Sequence, residues 1–228
     1  MAGTAYGVGV GPGDPELITL KAVRVVRSCS VVAFPGERPE DSVAFGIAAG
    51  SMPWIHDKEL LALPAPMTSD RNVVAAAQRD NAWRVELELD AGKDVAVLVL
   101  GDPTVYSTFA HMQDVFVGDG YRVELVSGVT SFCAAAAKLG ESLALWDEPL
   151  HVVPLIHGGP DMGLDGTQVL MKCGSKIGQV RDLALSSGSR LSVVERCGMD
   201  GERVYAHTED VPDRLGYLSV ALLRQGLR

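Results

Sequence analysis

A chain of 228 residues exceeds the usual single-domain length but is short for two large domains, so one or two lobes of roughly 110 residues are expected. Hydrophobic residues at 47% with aromatics at only 6% give a Val, Leu and Ala core of helices on sheets, and exclude a chain that needs staples to fold. Twenty Lys and Arg against 29 Asp and Glu leave a net charge of −9, which argues against nucleic acid and requires a local basic patch for any carboxylate-rich ligand.

Strand, loop and helix patterns alternate from the start, the rhythm of an α/β protein. Ala5 to Val10 is a candidate strand broken by Gly11-Pro12-Gly13. Asp14-Pro15-Glu16 then predicts a helix start, with a capping acid, a proline in the first turn and an acid beside the positive end of the dipole. Ser30 to Phe34 reads as a second strand ended by Pro35-Gly36, and residues 42–50 as a small helix. From Arg71 to Ala91, Val74, Ala77, Ala82, Val85 and Leu89 recur at near-helical spacing, and Gly92 marks the stop. Asp94 to Leu100 is a nearly continuous apolar run of the kind buried on both faces of a parallel sheet. It ends in Gly101-Asp102-Pro103, with a helix from Ser107 to Val117 beyond.

Tyr121 to Ser127 is another strand, and Gly128-Val129-Thr130-Ser131 leads into the alanine-rich helix Phe132 to Leu139. After Trp146-Asp147-Glu148-Pro149 the segments shorten. Strands are expected at 150–155, 167–172, 190–197, 202–207 and 217–224 around one helix near 176–187. The pattern predicts an N-terminal α/β lobe over 1–119 and a C-terminal lobe over 120–228 carrying a mixed sheet.

Cys29, Cys133, Cys173 and Cys197 are scattered without a CxxC, and His56, His111, His151, His157 and His207 show no ligand spacing, so no metal is expected. The start MAGTAYGVGV lacks a leader pattern, and no run approaches the roughly 20 apolar residues of a membrane span. A cytoplasmic location without membrane contact is therefore expected.

Three loops share one design, in which a strand ends in glycine, proline or a small hydroxyl residue and a helix begins: Gly9 to Asp14, Gly101 to Thr104, and Gly128 to Ser131. In parallel sheets ligands collect beyond such strand ends. The glycines would let a ligand lie against the main chain, while Pro12 and Pro103 would hold the loops in one conformation. Spacing excludes the familiar nucleotide motifs: Gly7 and Gly9 are followed by Pro12, Gly9 and Gly11 by Asp14, and no GxxxxGK[ST] occurs. An acid in each of two glycine loops suits a cation or a hydrogen-bond donor better than a phosphate. S-adenosylmethionine, with its sulfonium, ammonium, ribose hydroxyls and adenine amine, is such a ligand.

Through GVGVGPGDPELITLKAVRVV at 7–26, GDPTVYSTF at 101–109 and SGVTSFCAAAAKLG at 127–140, the sequence resembles the tetrapyrrole methylases over essentially its whole length. The resemblance implies a two-lobed fold, with a mostly parallel N-terminal sheet and a mixed C-terminal sheet, that takes S-adenosylmethionine and releases S-adenosylhomocysteine. Carried over by position, Pro12, Gly101, Asp102, Val105, Thr130 and Ser131 contact the cofactor, and Met171, Cys197 and Gly198 supply the second lobe's share. The strings GDPTVYSTF, TSFCAAAAKLG, LMKCGSKI and VVERCGMDGE are most similar to the methylases of carbon 20 of precorrin-2. They imply precorrin-2 or cobalt-factor II as substrate, in cobalamin biosynthesis, and family membership implies a homodimer.

Methyl transfer from a sulfonium needs positioning and removal of a proton. Asp102 and Tyr106 are the candidate catalytic residues, Tyr106 to touch substrate and Asp102 to position the cofactor or its loop, with His56 as a remoter base. Arg38, Lys58, Arg71 and Lys172 are the candidates for substrate carboxylates. Alternatives are methylation of another tetrapyrrole carbon, of a protein or of RNA, and a non-catalytic sensor that binds S-adenosylmethionine.

Overall fold

The computed structural model describes residues 1–66, 68, 70–155 and 158–225. His157 and the side chain of Arg71 lie outside the described residues. The chain divides into two compact units, Met1–Thr130 and Ser131–Arg228.

Five parallel strands form the first unit's sheet: β1 (Thr4–Gly9), β2 (Val31–Pro35), β3 (Glu59–Leu63), β4 (Val95–Val99) and β5 (Arg122–Val126). Their order is β3-β2-β4-β1-β5. The interior position of β4 explains its composition, since all five residues of VAVLV are buried and neither face can carry a polar side chain. Helices α1 (Leu20–Ser28), α2 (Val43–Ser51), α3 (Arg71–Asp90) and α4 (Phe109–Gly118) connect the strands. On one face Ala82, Val85 and Leu89 of α3 and Phe109, Met112 and Phe116 of α4 cluster with Ala5, Val31, Ala33, Val95 and Val97. The alternate strand residues turn to the other face, where Phe34 meets Phe45 of α2 edge-on with ring centroids 5.4 Å apart.

Three expectations need correction here. Asp14 caps only a single 3-10 turn, Pro15–Leu17, by accepting from Glu16 N at 2.9 Å. Ile18 is extended, and α1 begins afresh with Thr19, whose Oγ1 accepts from Ala22 N at 3.1 Å. Glu59–Leu63 is a strand that the pattern did not suggest, because ELLAL has neither β-branched residues nor alternation and gains its identity by pairing with β2. The break expected after Asp119 lies inside the first unit, because Arg122–Val126 pairs with β1 and completes the first sheet.

The second unit is built on β6 (Leu150–Pro154), β7 (Thr167–Met171), β8 (Arg190–Glu195), β9 (Arg203–Tyr205) and β10 (Ser219–Arg224), in the order β6-β7-β10-β8-β9. Only β6 and β7 pair in parallel, so the sheet is mixed. Ile177, Val180 and Ala184 of α6 (Ile177–Ser187) cover one face through Leu170, Leu191, Val193, Ala221 and Leu223. Ala135 and Ala136 of α5 (Ser131–Leu139) cover the other through Val169, Val194, Val220 and Leu222. Each unit encloses one cysteine, Cys29 in the first and Cys173 in the second, and burial pushes both thiols up to about 12. Among the described residues no helix is long and apolar enough to cross a membrane.

Candidate functional site

The loops after β1, β4 and β5 meet at the carboxyl edge of the first sheet, because the order β4-β1-β5 makes these strands neighbours. Gly11 and Gly101 form an antiparallel bridge, with Gly101 N donating to Gly11 O at 2.8 Å and Gly11 N to Gly101 O at 3.3 Å. The third loop lies against that bridge so closely that a Cβ on Gly128 would stand 2.1 Å from Gly101 O, and one on Gly9 2.7 Å from Gly128 N. Neither position can carry a side chain without moving backbone. Thr19 Oγ1 adds a bond to Ser127 O at 3.3 Å, so the start of α1 is fastened to the same edge.

Asp102 locks this junction. Its Oδ1 accepts from Thr104 N at 2.8 Å and from Thr104 Oγ1, while Oδ2 accepts from Gly128 N at 2.9 Å. The residue is 8% exposed. Burial alone would raise the carboxyl's pKa, but the bonds from Thr104 and Gly128 outweigh it and hold the group below its ordinary value. With both oxygens engaged, the carboxylate ties the loop after β4 to the loop after β5.

Pro12 is buried beside the Gly11 bridge, Gly101 is part of it, and Val105 closes the turn by donating to Asp102 O at 3.3 Å. Tyr106 is 46% exposed and holds φ at +48°, a left-handed conformation that costs a residue with a Cβ about 1–2 kcal/mol. Strain of this kind is retained where a side chain has to be presented in a set direction. Thr130 completes the group: its Oγ1 is buried and has no hydrogen-bond partner among the described residues. A buried hydroxyl left unsatisfied costs free energy unless a ligand meets it.

The chemistry of the junction suits an uncharged or cationic nucleoside derivative. The segments 9–14, 101–106 and 127–130 contain no Lys or Arg to balance phosphates. They offer main chain without side-chain cover and one orphaned hydroxyl. Among the described residues no group of three or more His, Cys, Asp and Glu side chains is placed to hold a metal ion.

Ser131, Met171, Cys197 and Gly198 belong to the second unit. Ser131 is the first residue of α5. Met171 ends β7 and Cys197 follows β8, both packing partly buried on the cluster of Ala135, Val169, Val194 and Val220. Gly198, at φ +71°, donates its N–H to Glu202 Oε2 at 2.7 Å, and Glu202 in turn pairs with Lys138 at 3.0 Å. Those two contacts, the Gly198 bond foremost, hold the Glu202 carboxyl below its ordinary value. Its spacing four residues beyond Gly198 is the signal that a reading of the loop alone overlooks; Thr104, two residues after Asp102, is a similar turn-forming partner.

The candidate carboxylate binders separate clearly. Arg38 sits on Asp41 at 2.7 Å and near Glu40 at 3.4 Å. Lys58 donates to Arg27 O at 2.7 Å and Cys29 O at 2.8 Å, finishing α1. His56 is exposed with its ring edge-on to Phe45 at 5.2 Å, a packing contact. Lys172 follows β7 with φ at +55°.

Comparison with known proteins agrees with this architecture. The chain is 34% identical over 242 residues to the cobalamin biosynthesis protein CobIJ of Mycobacterium tuberculosis, covering 99% of this chain and 47% of that one. It thus spans about half the length of that relative. It is 29% identical over 238 residues to a precorrin-2 C(20)-methyltransferase from Sinorhizobium sp, covering 97% of this chain and 95% of the other. The crystal structure of uroporphyrin-III C-methyltransferase from Thermus thermophilus, complexed with S-adenosylhomocysteine, shares its fold at a TM-score of 0.69 and 24% identity, covering 97% and 92% of the two chains. The family profile of the tetrapyrrole (corrin/porphyrin) methylases matches residues 4–212, a span that takes in all three glycine loops and the strands that align them, and the chain belongs to that family.

Proposed function

We propose that the protein transfers a methyl group from S-adenosylmethionine to carbon 20 of a reduced tetrapyrrole, precorrin-2 or cobalt-factor II. The observation that carries this reading is the junction of three glycine loops, the third of which carries at Thr130 a buried hydroxyl with no partner among the described residues. The near full-length likeness to a relative named for that reaction supports the choice of carbon, and the S-adenosylhomocysteine in a relative of the same fold supports the donor.

When bound, the donor supplies an electrophilic methyl group to a carbon nucleophile in line with the departing sulfur. The chain's own part is positioning, worth up to about 7–11 kcal/mol of effective concentration when geometry is exact. Gly9, Gly101 and Gly128 keep side chains off the main chain, and Pro12 stiffens the first loop. Thr130 Oγ1 hydrogen-bonds the donor, and Asp102 holds two of the loops in register. Val105 flanks them. Tyr106 presents its phenol to the substrate, where its oxygen can relay the proton released from carbon 20, accepting it as its own hydroxyl proton passes to solvent. In the second unit, Ser131, Met171, Cys197 and Gly198 offer side-chain packing and main-chain contacts. The assembly expected on family grounds is a homodimer, which sedimentation of the purified chain tests.

Two measurements decide the reading. Calorimetric titration of folded protein with S-adenosylhomocysteine is expected to saturate, and its failure to do so rejects the donor. Incubation of precorrin-2 and of cobalt-factor II with methyl-labelled donor is expected to place the label on carbon 20; label at a different carbon would replace the positional assignment and keep the family chemistry.

A further inference from the structure

Besides Tyr106, three residues other than glycine hold a left-handed backbone among the described residues: Trp146, Lys172 and Arg196, the last two at φ +55° and +53°. Lys172 directly follows β7 and Arg196 directly follows β8. Both strands run antiparallel to β10 and flank it, so the two residues stand at the same end of the second sheet. The register makes the match close: Val220 pairs with Met171, Ser219 pairs with Glu195, and Arg196 N donates to Leu218 O at 2.7 Å. Two strand spacings, about 10 Å, separate their backbones.

Glycine would adopt this conformation without strain, and the chain places it at Gly188 and Gly198 where a left-handed turn is all that is needed. Keeping a long cationic side chain at both strand ends therefore points to the side chains themselves. Their charges are also available. Arg38, Arg84, Lys93, Arg181 and Arg190 all sit on carboxylates. Among the described residues no carboxylate forms an ion pair with Lys172 or Arg196. The guanidinium of Arg196 donates Nε to the backbone carbonyl of Asp200 at 2.7 Å, a neutral acceptor that steadies the group without forming an ion pair. In a chain with net charge −9, Lys172 and Arg196 bring two positive charges to one sheet end, and the neighbouring Glu195 is already engaged by Gly216 N at 2.6 Å and by Arg203 at 3.8 Å.

We propose that Lys172 and Arg196 form a carboxylate-recognition pair at the β7/β8 end of the second sheet, each cation aimed by its strained backbone. This rests on the tetrapyrrole reading above, because the carboxylates in question are the substrate's peripheral side chains; the carboxylate of the donor's methionine portion is the other source of the same chemistry. The pair acts by binding and orientation.

Lys172→Met, Arg196→Met and the double variant are titrated with sirohydrochlorin, the aromatised counterpart of precorrin-2, by absorbance, and with S-adenosylhomocysteine by calorimetry. Each single change is expected to weaken sirohydrochlorin binding about five- to tenfold and the double change at least about thirtyfold, with S-adenosylhomocysteine affinity unchanged. Loss confined to the second ligand would keep the pair and assign it to the donor's carboxylate, whereas unchanged affinity for both overturns it. Unaltered protein that binds S-adenosylhomocysteine but not sirohydrochlorin would reject the precorrin-2 reading, and with it the assignment of the pair to the substrate's carboxylates. Lys172→Gly provides a second readout: relief of strain should raise Tm by about 2–4 °C while affinity for sirohydrochlorin falls as in Lys172→Met. A gain in Tm with full affinity would show that the side chain is dispensable.

Discussion

Asp102 accepts three hydrogen bonds from two loops, so its removal strands three donors at once. Asp102→Ala is expected to cost at least ~2 kcal/mol of stability by chemical denaturation and to lower kcat/KM at least about tenfold. On the positioning role proposed for the carboxylate, the pH profile of the residual activity should match that of the unaltered protein; a displaced profile would make Asp102 the base. Asp102→Asn should recover part of the loss, since its carbonyl can still accept from Thr104 but its amide faces Gly128 N–H. Gly128→Ala presses a methyl group toward Gly101 O and is expected to abolish saturable S-adenosylhomocysteine binding. The sequence showed that these loops carry special residues, but not that Asp102 reaches Gly128, because the bond joins positions 26 apart through a third strand between them.

At the scale of elements, α3 and α4 bring carboxylates together in the first unit. Glu86 on α3 lies near Asp90 of the same helix and Asp119 at the end of α4, and Asp90 accepts from Tyr121 Oη at 2.8 Å. Burial first, then the neighbouring charge of Asp119 and of Asp90, raise the pKa of Glu86. A carboxyl raised in the folded state contributes stability that is complete below its unfolded value near 4.5 and fades as pH rises through the folded value. Glu86→Gln imitates the protonated form. It should raise Tm by about 1–2 °C at pH 8, a shift kept small by solvent screening, and leave it unchanged at pH 4. Equal effects at both pH values would refute the assignment. The same scale shows what periodicity can and cannot read. Long or strongly patterned elements such as α3 and β4 were legible from spacing alone. The start of α1 is not legible in the same way, because Asp14-Pro15 satisfies the rules of a helix start for one turn only. β3 carries no such pattern, because its strand character comes from its partner.

For the whole molecule, chain order disclosed the α/β class and the change to a mixed sheet, yet not the boundary. A parallel sheet can recruit a strand from far along the chain, and β5 pairs with β1 although β2, β3 and β4 lie between them in sequence. Its recruitment places the first two glycine loops and Gly128 to Thr130 of the third in one unit. The candidate site was readable as motifs; the locking carboxylate, the Glu202 contact and the strained cation pair needed the backbone angles and the register.

Cys29 and Cys173 give the two units separate chemical clocks. A thiol with a pKa near 12 is almost wholly protonated at pH 8, and enclosure denies it to iodoacetamide, whereas Cys133 is exposed. Alkylation in rising urea, read by peptide mass, should therefore mark Cys133 first and then record when each unit opens, Cys29 for one and Cys173 for the other. Rapid modification of either enclosed thiol without denaturant would contradict the burial described. The order in which the two are marked will reveal whether the halves melt together or in sequence.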